Sequence, residues 1–123
     1  MIKIAIVEDD QAISQMYRFK FEASGYRVEV AENGKDGLEL VKEFKPDIVL
    51  LDLMMPIVTG DEMLRKLRDS SFGRNIKVII LTNMGEQEIP AYVKKLNVTD
   101  IILKANMTPR QVEEIVKKHL KES

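Results

Sequence analysis

Read as a pattern of hydrophobic and polar positions, the chain alternates short aliphatic runs with longer stretches where apolar residues return every three or four positions. The runs lie at 2–7, 26–31, 48–53, 78–81 and 101–103. Most are nearly continuous, the mark of strands covered on both faces in a parallel sheet. The run at 26–31 alternates instead, with Val28 and Val30 on one face. Between the runs, Ile13, Met16, Tyr17 and Phe21 predict a first inward-facing helix. Leu38, Val41 and Phe44 predict a second, and Met63, Leu64 and Leu67 a third. A fourth is predicted over 86–96, with Pro90 awkwardly close to its first turn. Val112, Ile115, Val116 and Leu120 face a fifth helix inward.

The punctuation fits this division. Asp10 is placed to cap the first helix, Ser24-Gly25 stops it, Asn33-Gly34 opens the second and Pro46 ends it. Asn97 suits the left-handed position that follows a helix. Thr108-Pro109-Arg110-Gln111 supplies an N-cap Thr, Pro at the first helical position and Gln two further on. A strand followed by a helix, five times over, predicts an α/β fold. Its core is a doubly wound five-stranded parallel sheet with right-handed crossovers and helices on both faces.

Composition narrows the function classes. A chain of 123 residues, 45% hydrophobic and 32% charged, is expected to form one domain over 1–123 with a full core. A net charge of −1 offers no basic footprint, so no direct nucleic-acid partner is expected. With no cysteine there is no thiol nucleophile, thiolate metal site or disulfide. No apolar run approaches the roughly 20 residues of a membrane span, and no signal-peptide pattern precedes the first strand. The expected setting is cytoplasmic.

The candidate chemistry sits at strand ends. Asp52 is one carboxylate set in the aliphatic run Ile48-Val49-Leu50-Leu51, shortly before Pro56. Burying it unpaired would cost several kcal/mol, so it belongs at the C-terminal end of a central strand, where open α/β sheets bind ligands. Glu8-Asp9-Asp10, Thr82 and Lys104 follow other strands. A parallel sheet brings all of these to one edge. Several carboxylates with no Cys, and with the lone His far away, favour Mg²⁺ over zinc. With a lysine and a hydroxyl added, they form a site for a phosphoryl group.

These pieces resemble the receiver domain of two-component response regulators over essentially the whole chain. The matching segments are Ile6-Val7-Glu8-Asp9-Asp10, Leu50-Leu51-Asp52-Leu53-Met54-Met55-Pro56, Leu81-Thr82 and Leu103-Lys104. The resemblance implies a CheY-like fold with strand order 2-1-3-4-5. It implies that Asp52 accepts a phosphoryl group from a histidine kinase or phosphotransfer protein. Asp9 and Asp52 would bind Mg²⁺ directly, Glu8 would do so through water, and the Met54 backbone carbonyl would complete the set. Lys104 and Thr82 would contact the phosphoryl oxygens. An effector would read the change on the face made by the fourth helix, fifth strand and fifth helix, the surface through which a homodimer could also form. Ile101 stands where the family has Tyr or Phe, Ala105 where it has Pro, and Asn83 where it has Ala or Gly. Switching is therefore expected to run through Thr82 and the backbone. Met54 and Met84 offer no group to position water, which implies slow loss of the phosphoryl group.

Other readings compete with this one. A constitutive binding module on the same scaffold would tolerate the departures at Asn83, Ile101 and Ala105. An excised receiver would belong to a longer regulator with a DNA-binding or enzymatic output. An Asp-nucleophile phosphatase would need a second Asp where Met54 stands, and a flavin site would need a Ser/Thr/Gly-rich loop where the acidic cluster lies; both enzymes are rejected. Lys117, Lys118, His119 and Lys121 are expected to form a solvated basic face.

Overall fold

The structure, a computed structural model, describes residues 1–121. Five parallel strands are β1 (Lys3–Val7), β2 (Arg27–Ala31), β3 (Ile48–Leu51), β4 (Lys77–Thr82) and β5 (Asp100–Leu103). They lie in the order β2-β1-β3-β4-β5, as the resemblance implied. The register pairs Val7 with Ala31 and Leu51, Leu51 with Ile80, and Thr82 with Leu103. One edge of the sheet thus gathers the residues that end each strand.

The aliphatic runs are continuous because alternate side chains fill two different cores. Ala5, Val7, Val49, Leu51, Val78 and Ile80 face one side, beneath α2 (Gly34–Phe44), α3 (Gly60–Arg68) and α4 (Ala91–Lys94). Ile4, Ile6, Ile48, Leu50, Ile79 and Leu81 face the other, beneath α1 (Gln11–Ala23) and α5 (Pro109–Lys121). Each such fully buried Leu, Ile or Val contributes about 1.5–3 kcal/mol of burial free energy. That is why β1, β3 and β4 form the rigid centre.

Helix boundaries follow local chemistry. Asp10 accepts from the Ile13 N–H at 3.1 Å and Asn33 from the Asp36 N–H at 2.8 Å, capping α1 and α2. After α1 the chain turns at Gly25, whose φ of +92° favours glycine. Thr108 and Gln111 form a reciprocal capping box, Gln111 N–H to the Thr108 hydroxyl at 3.2 Å and Thr108 N–H to the Gln111 side chain at 2.8 Å. Met16, expected to face inward, is instead 43% exposed; Ser14 and Tyr17 take the buried stripe.

The fourth helix departs most from expectation. In place of one helix over 86–96 there is a single 3₁₀ turn (Glu86–Glu88), then Pro90 with extended backbone as N-cap, then the four-residue α4. The proline ring lacks an N–H and excludes a continuous ladder of bonds through this point. Asn97 does take the left-handed conformation, with φ +57°.

Candidate functional site

Asp52 lies one residue beyond β3 and is 6% exposed. Its N–H still pairs with the Val7 carbonyl at 3.0 Å, so the ladder fixes its backbone as firmly as that of the strand before it. Glu8 is held alike past β1, its N–H on the Ala31 carbonyl at 2.9 Å. Both side chains are then oriented by local donors. The Met54 N–H reaches Asp52 Oδ1 at 3.2 Å, and the Asp10 N–H reaches Glu8 Oε2 at 3.1 Å.

Lys104, the first residue of a 3₁₀ turn (Lys104–Asn106) after β5, extends its ammonium between the two acids. Its Nζ donates to Asp52 Oδ2 at 3.2 Å and to Glu8 Oε1. The peptide bonds of the described residues, Lys104-Ala105 among them, are all trans. Burial alone would lower the lysine pKa, but the Glu8 hydrogen bond and the Asp52 and Glu8 charges outweigh it and hold it above the ordinary 10.5. Burial also pushes Glu8 above its ordinary 4.5, with the Asp52 charge adding to the effect, against the opposing pull of Lys104 and the Asp10 N–H. Two acids and one ammonium therefore share a nearly dry pocket with negative charge in excess.

Asp9 is exposed beside them, and one carboxylate oxygen each from Glu8, Asp9 and Asp52 lie within 4.8 Å of one another. Such an all-oxygen, all-carboxylate set suits a hard divalent cation. Thr82 is fully buried at the end of β4; its hydroxyl accepts from the Met84 N–H at 3.2 Å and borders a cavity of about 290 Å³. Met54 projects into solvent at 60% exposure.

Sequence reasoning overlooked what surrounds these groups. A Cβ on Gly60 would meet the Asp52 carbonyl oxygen at 2.0 Å, so only glycine lets the start of α3 pack against the Asp52 backbone. Bonds from Gly60 N–H to the Leu53 carbonyl and from Gly34 N–H to the Val58 carbonyl, at 3.0 and 2.9 Å, pin the loop between β3 and α3. Between these anchors Ile57, 75% exposed, is forced to φ +69°, a costly conformation for a β-branched residue. A glycine at a helix start, three residues beyond Ile57, was the available signal. His119 was misjudged too: it is buried rather than solvated, and its Nε2 sits 2.9 Å from Asp100 Oδ2.

Fold and site together define a doubly wound α/β domain whose sheet edge carries an acidic pocket bridged by a lysine. The response regulator receiver domain family matches residues 4–117, and the chain belongs to that family, the receiver domains of two-component response regulators. It is 34% identical over 107 residues to the phosphate regulon transcriptional regulatory protein PhoB of Rhizobium meliloti, covering 87% of this chain and 47% of that protein. It is 32% identical over 112 residues to the polar-differentiation response regulator DivK of Brucella anthropi, covering 91% of each. The solved structure of a CheY-like receiver domain protein from Methanospirillum hungatei matches with a TM-score of 0.90 at 28% identity, covering 99% of this chain and 95% of that one. The chain thus spans about half the length of PhoB and most of DivK. Among the described residues no helix is long and apolar enough to cross a membrane.

Proposed function

We propose that Asp52 is the phosphoacceptor of this receiver. The observation that carries the reading is the Lys104 ammonium held between Asp52 and Glu8, with the Asp9 carboxylate alongside. A carboxylate oxygen of Asp52 attacks the phosphorus of a phosphohistidine on a sensor kinase or phosphotransfer protein. The P–N bond breaks, its electron pair returns to the imidazole, and an aspartyl phosphate remains. Lys104 pairs with the phosphoryl oxygens as charge moves onto them. Asp9 and Asp52, Glu8 through water, and the Met54 carbonyl would hold a Mg²⁺, which when bound supplies positive charge to those same oxygens. Thr82 then turns its hydroxyl from the Met84 N–H towards the new group. An effector, or a second copy of the chain, reads the resulting change around α4, β5 and α5. Within a longer chain the same face would address an output domain.

Intact mass after incubation with acetyl phosphate tests the assignment. The expected result is a Mg²⁺-dependent gain of one phosphoryl group, absent from Asp52→Asn. No gain, or a gain that survives in Asp52→Asn, would favour a constitutive binding module instead.

A further inference from the structure

The helix α4 has little of its own to hold it. Four residues lie far below the roughly 12–15 an isolated helix needs, and neither it nor the preceding 3₁₀ turn has a side-chain cap. Its place depends on Ile89 and Val93, buried in the core, and on two polar ties to α3, one at each end of that helix. At the far end Arg68 clamps the exit of α4. Its guanidinium donates to the Leu96 and Asn97 carbonyls at 2.8 and 3.0 Å, and to those of Gly73 and Ile76 at 2.8 and 2.7 Å. At the near end the Tyr92 hydroxyl donates to the Asp61 carboxylate. Asp61 directly follows Gly60, the residue packed against the Asp52 backbone.

The two ties are unequal. Arg68 grips backbone carbonyls of two segments at once, and no single bond releases it. Tyr92 and Asp61 share one hydrogen bond between partly exposed side chains, on the end of α4 that the chain reaches first after Thr82. While the Thr82 hydroxyl accepts from the Met84 N–H, it ties the start of the segment leading to α4 to the end of β4. Once that hydroxyl turns away, Met84 loses its acceptor and the segment must reorganise. The cavity of about 290 Å³ bordered by Thr82, Met84, Ile89 and Ile101 gives it room to do so.

We infer that the Tyr92–Asp61 hydrogen bond is a latch that holds α4 in its unphosphorylated position, with the Arg68 clamp as the pivot about which α4 swings when the latch opens. The inference rests on Asp52 as the phosphoacceptor. It gives this chain an aromatic coupling element on α4, independent of position 101, where isoleucine stands. Burial would raise the Asp61 pKa, but the Tyr92 and Thr59 hydroxyls and the N–H groups at the start of α3 hold it below the usual 3.8, as suits a carboxylate acceptor. Tyr92 and Asp61 are positioning residues; neither touches the phosphoryl group.

The chain has no tryptophan and three tyrosines, so its emission reports on tyrosine directly. A phenol bonded to a carboxylate is quenched by proton transfer in the excited state. Emission is followed during phosphorylation by acetyl phosphate with Mg²⁺, with intact mass recorded on the same samples, for the wild type, Tyr92→Phe and Asp61→Asn. The wild type is expected to brighten as mass is gained, and Tyr92→Phe to lose that rise. Tyr92→Phe is also expected to phosphorylate about fivefold faster, the factor expected for one partly exposed hydrogen bond present only in the resting state. Asp61→Asn, which keeps an acceptor but not a base, should lose the rise as Tyr92→Phe does and phosphorylate at a rate between the two. The same rise in wild type and Tyr92→Phe, contributed by Tyr17 beside the pocket, would overturn the latch, as would equal phosphorylation rates. No mass gain in the wild type would remove the phosphoacceptor assignment and the latch with it, a result that mass alone distinguishes from failure of the latch.

Discussion

The helices α4 and α5 each follow a strand that delivers one residue to the site, yet they are built differently. Lys104 is followed by a 13-residue helix with a reciprocal capping box, which buries Val112 and Val116 completely. Thr82 is followed by one 3₁₀ turn, a proline and four helical residues. One strand end therefore carries a cation that stays where the fold puts it, and the other a hydroxyl on a segment that a small energy difference can move. The contrast matches the proposed roles of the two residues: a fixed countercharge wants a rigid support, and a switch wants a marginal one.

Four changes would sharpen or break this contrast. The largest effect is expected at the rigid end. Lys104→Met leaves the Glu8 and Asp52 side chains, 5% and 8% exposed, without the ammonium between them. Removing one partner of a buried pair costs about 3–5 kcal/mol, so the urea midpoint should fall steeply at neutral pH and recover in part on adding Mg²⁺. A midpoint unmoved by the substitution would mean that the pocket is wetter than its burial implies.

A smaller loss, about 1 kcal/mol, is expected for Thr108→Ala, which removes the α5 cap. Pro90→Asp runs the other way. It gives α4 the side-chain cap it lacks, raises stability by about 0.5–1 kcal/mol and slows phosphorylation by acetyl phosphate. If Pro90→Asp instead speeds phosphorylation, a loosely held α4 is not what allows the switch.

The smallest effect is in pH. Asp61 ionises below its ordinary 3.8 in the folded chain, so its contribution is present above that value and lost as pH falls through the folded one. In the folded chain the Asp61 hydrogen bond raises the Tyr92 phenol above its ordinary 10.0. That contribution is full below 10.0 and lost as pH rises through the folded value. The difference in melting temperature between wild type and Tyr92→Phe should therefore be a plateau that closes at both extremes of pH.

Sequence patterns revealed the fold where local and tertiary signals agreed. The caps at Asp10, Asn33 and Thr108 are contacts within three residues, and the aliphatic runs need only a parallel sheet around them. The Asp52–Lys104 pairing was visible through topology, because one edge collects every strand end. What stayed hidden was long-range and without periodicity. Tyr92 meets Asp61 across 31 positions, and Arg68 reaches carbonyls that no side-chain pattern announces. His119 looked like part of a basic surface because its partner Asp100 sits on another element. The predicted 86–96 helix failed because apolar spacing was read across Pro90, whose missing N–H outweighs it.

The loop pinned by Gly60 on Leu53 and by Gly34 on Val58 has a consequence for how such chains diverge. Both anchors are main-chain bonds that fix a residue count, so a one-residue insertion or deletion between Leu53 and Gly60 would break one of them whatever side chains it carried. Across descendants of this sequence, the spacing of that stretch should be kept long after its letters have changed.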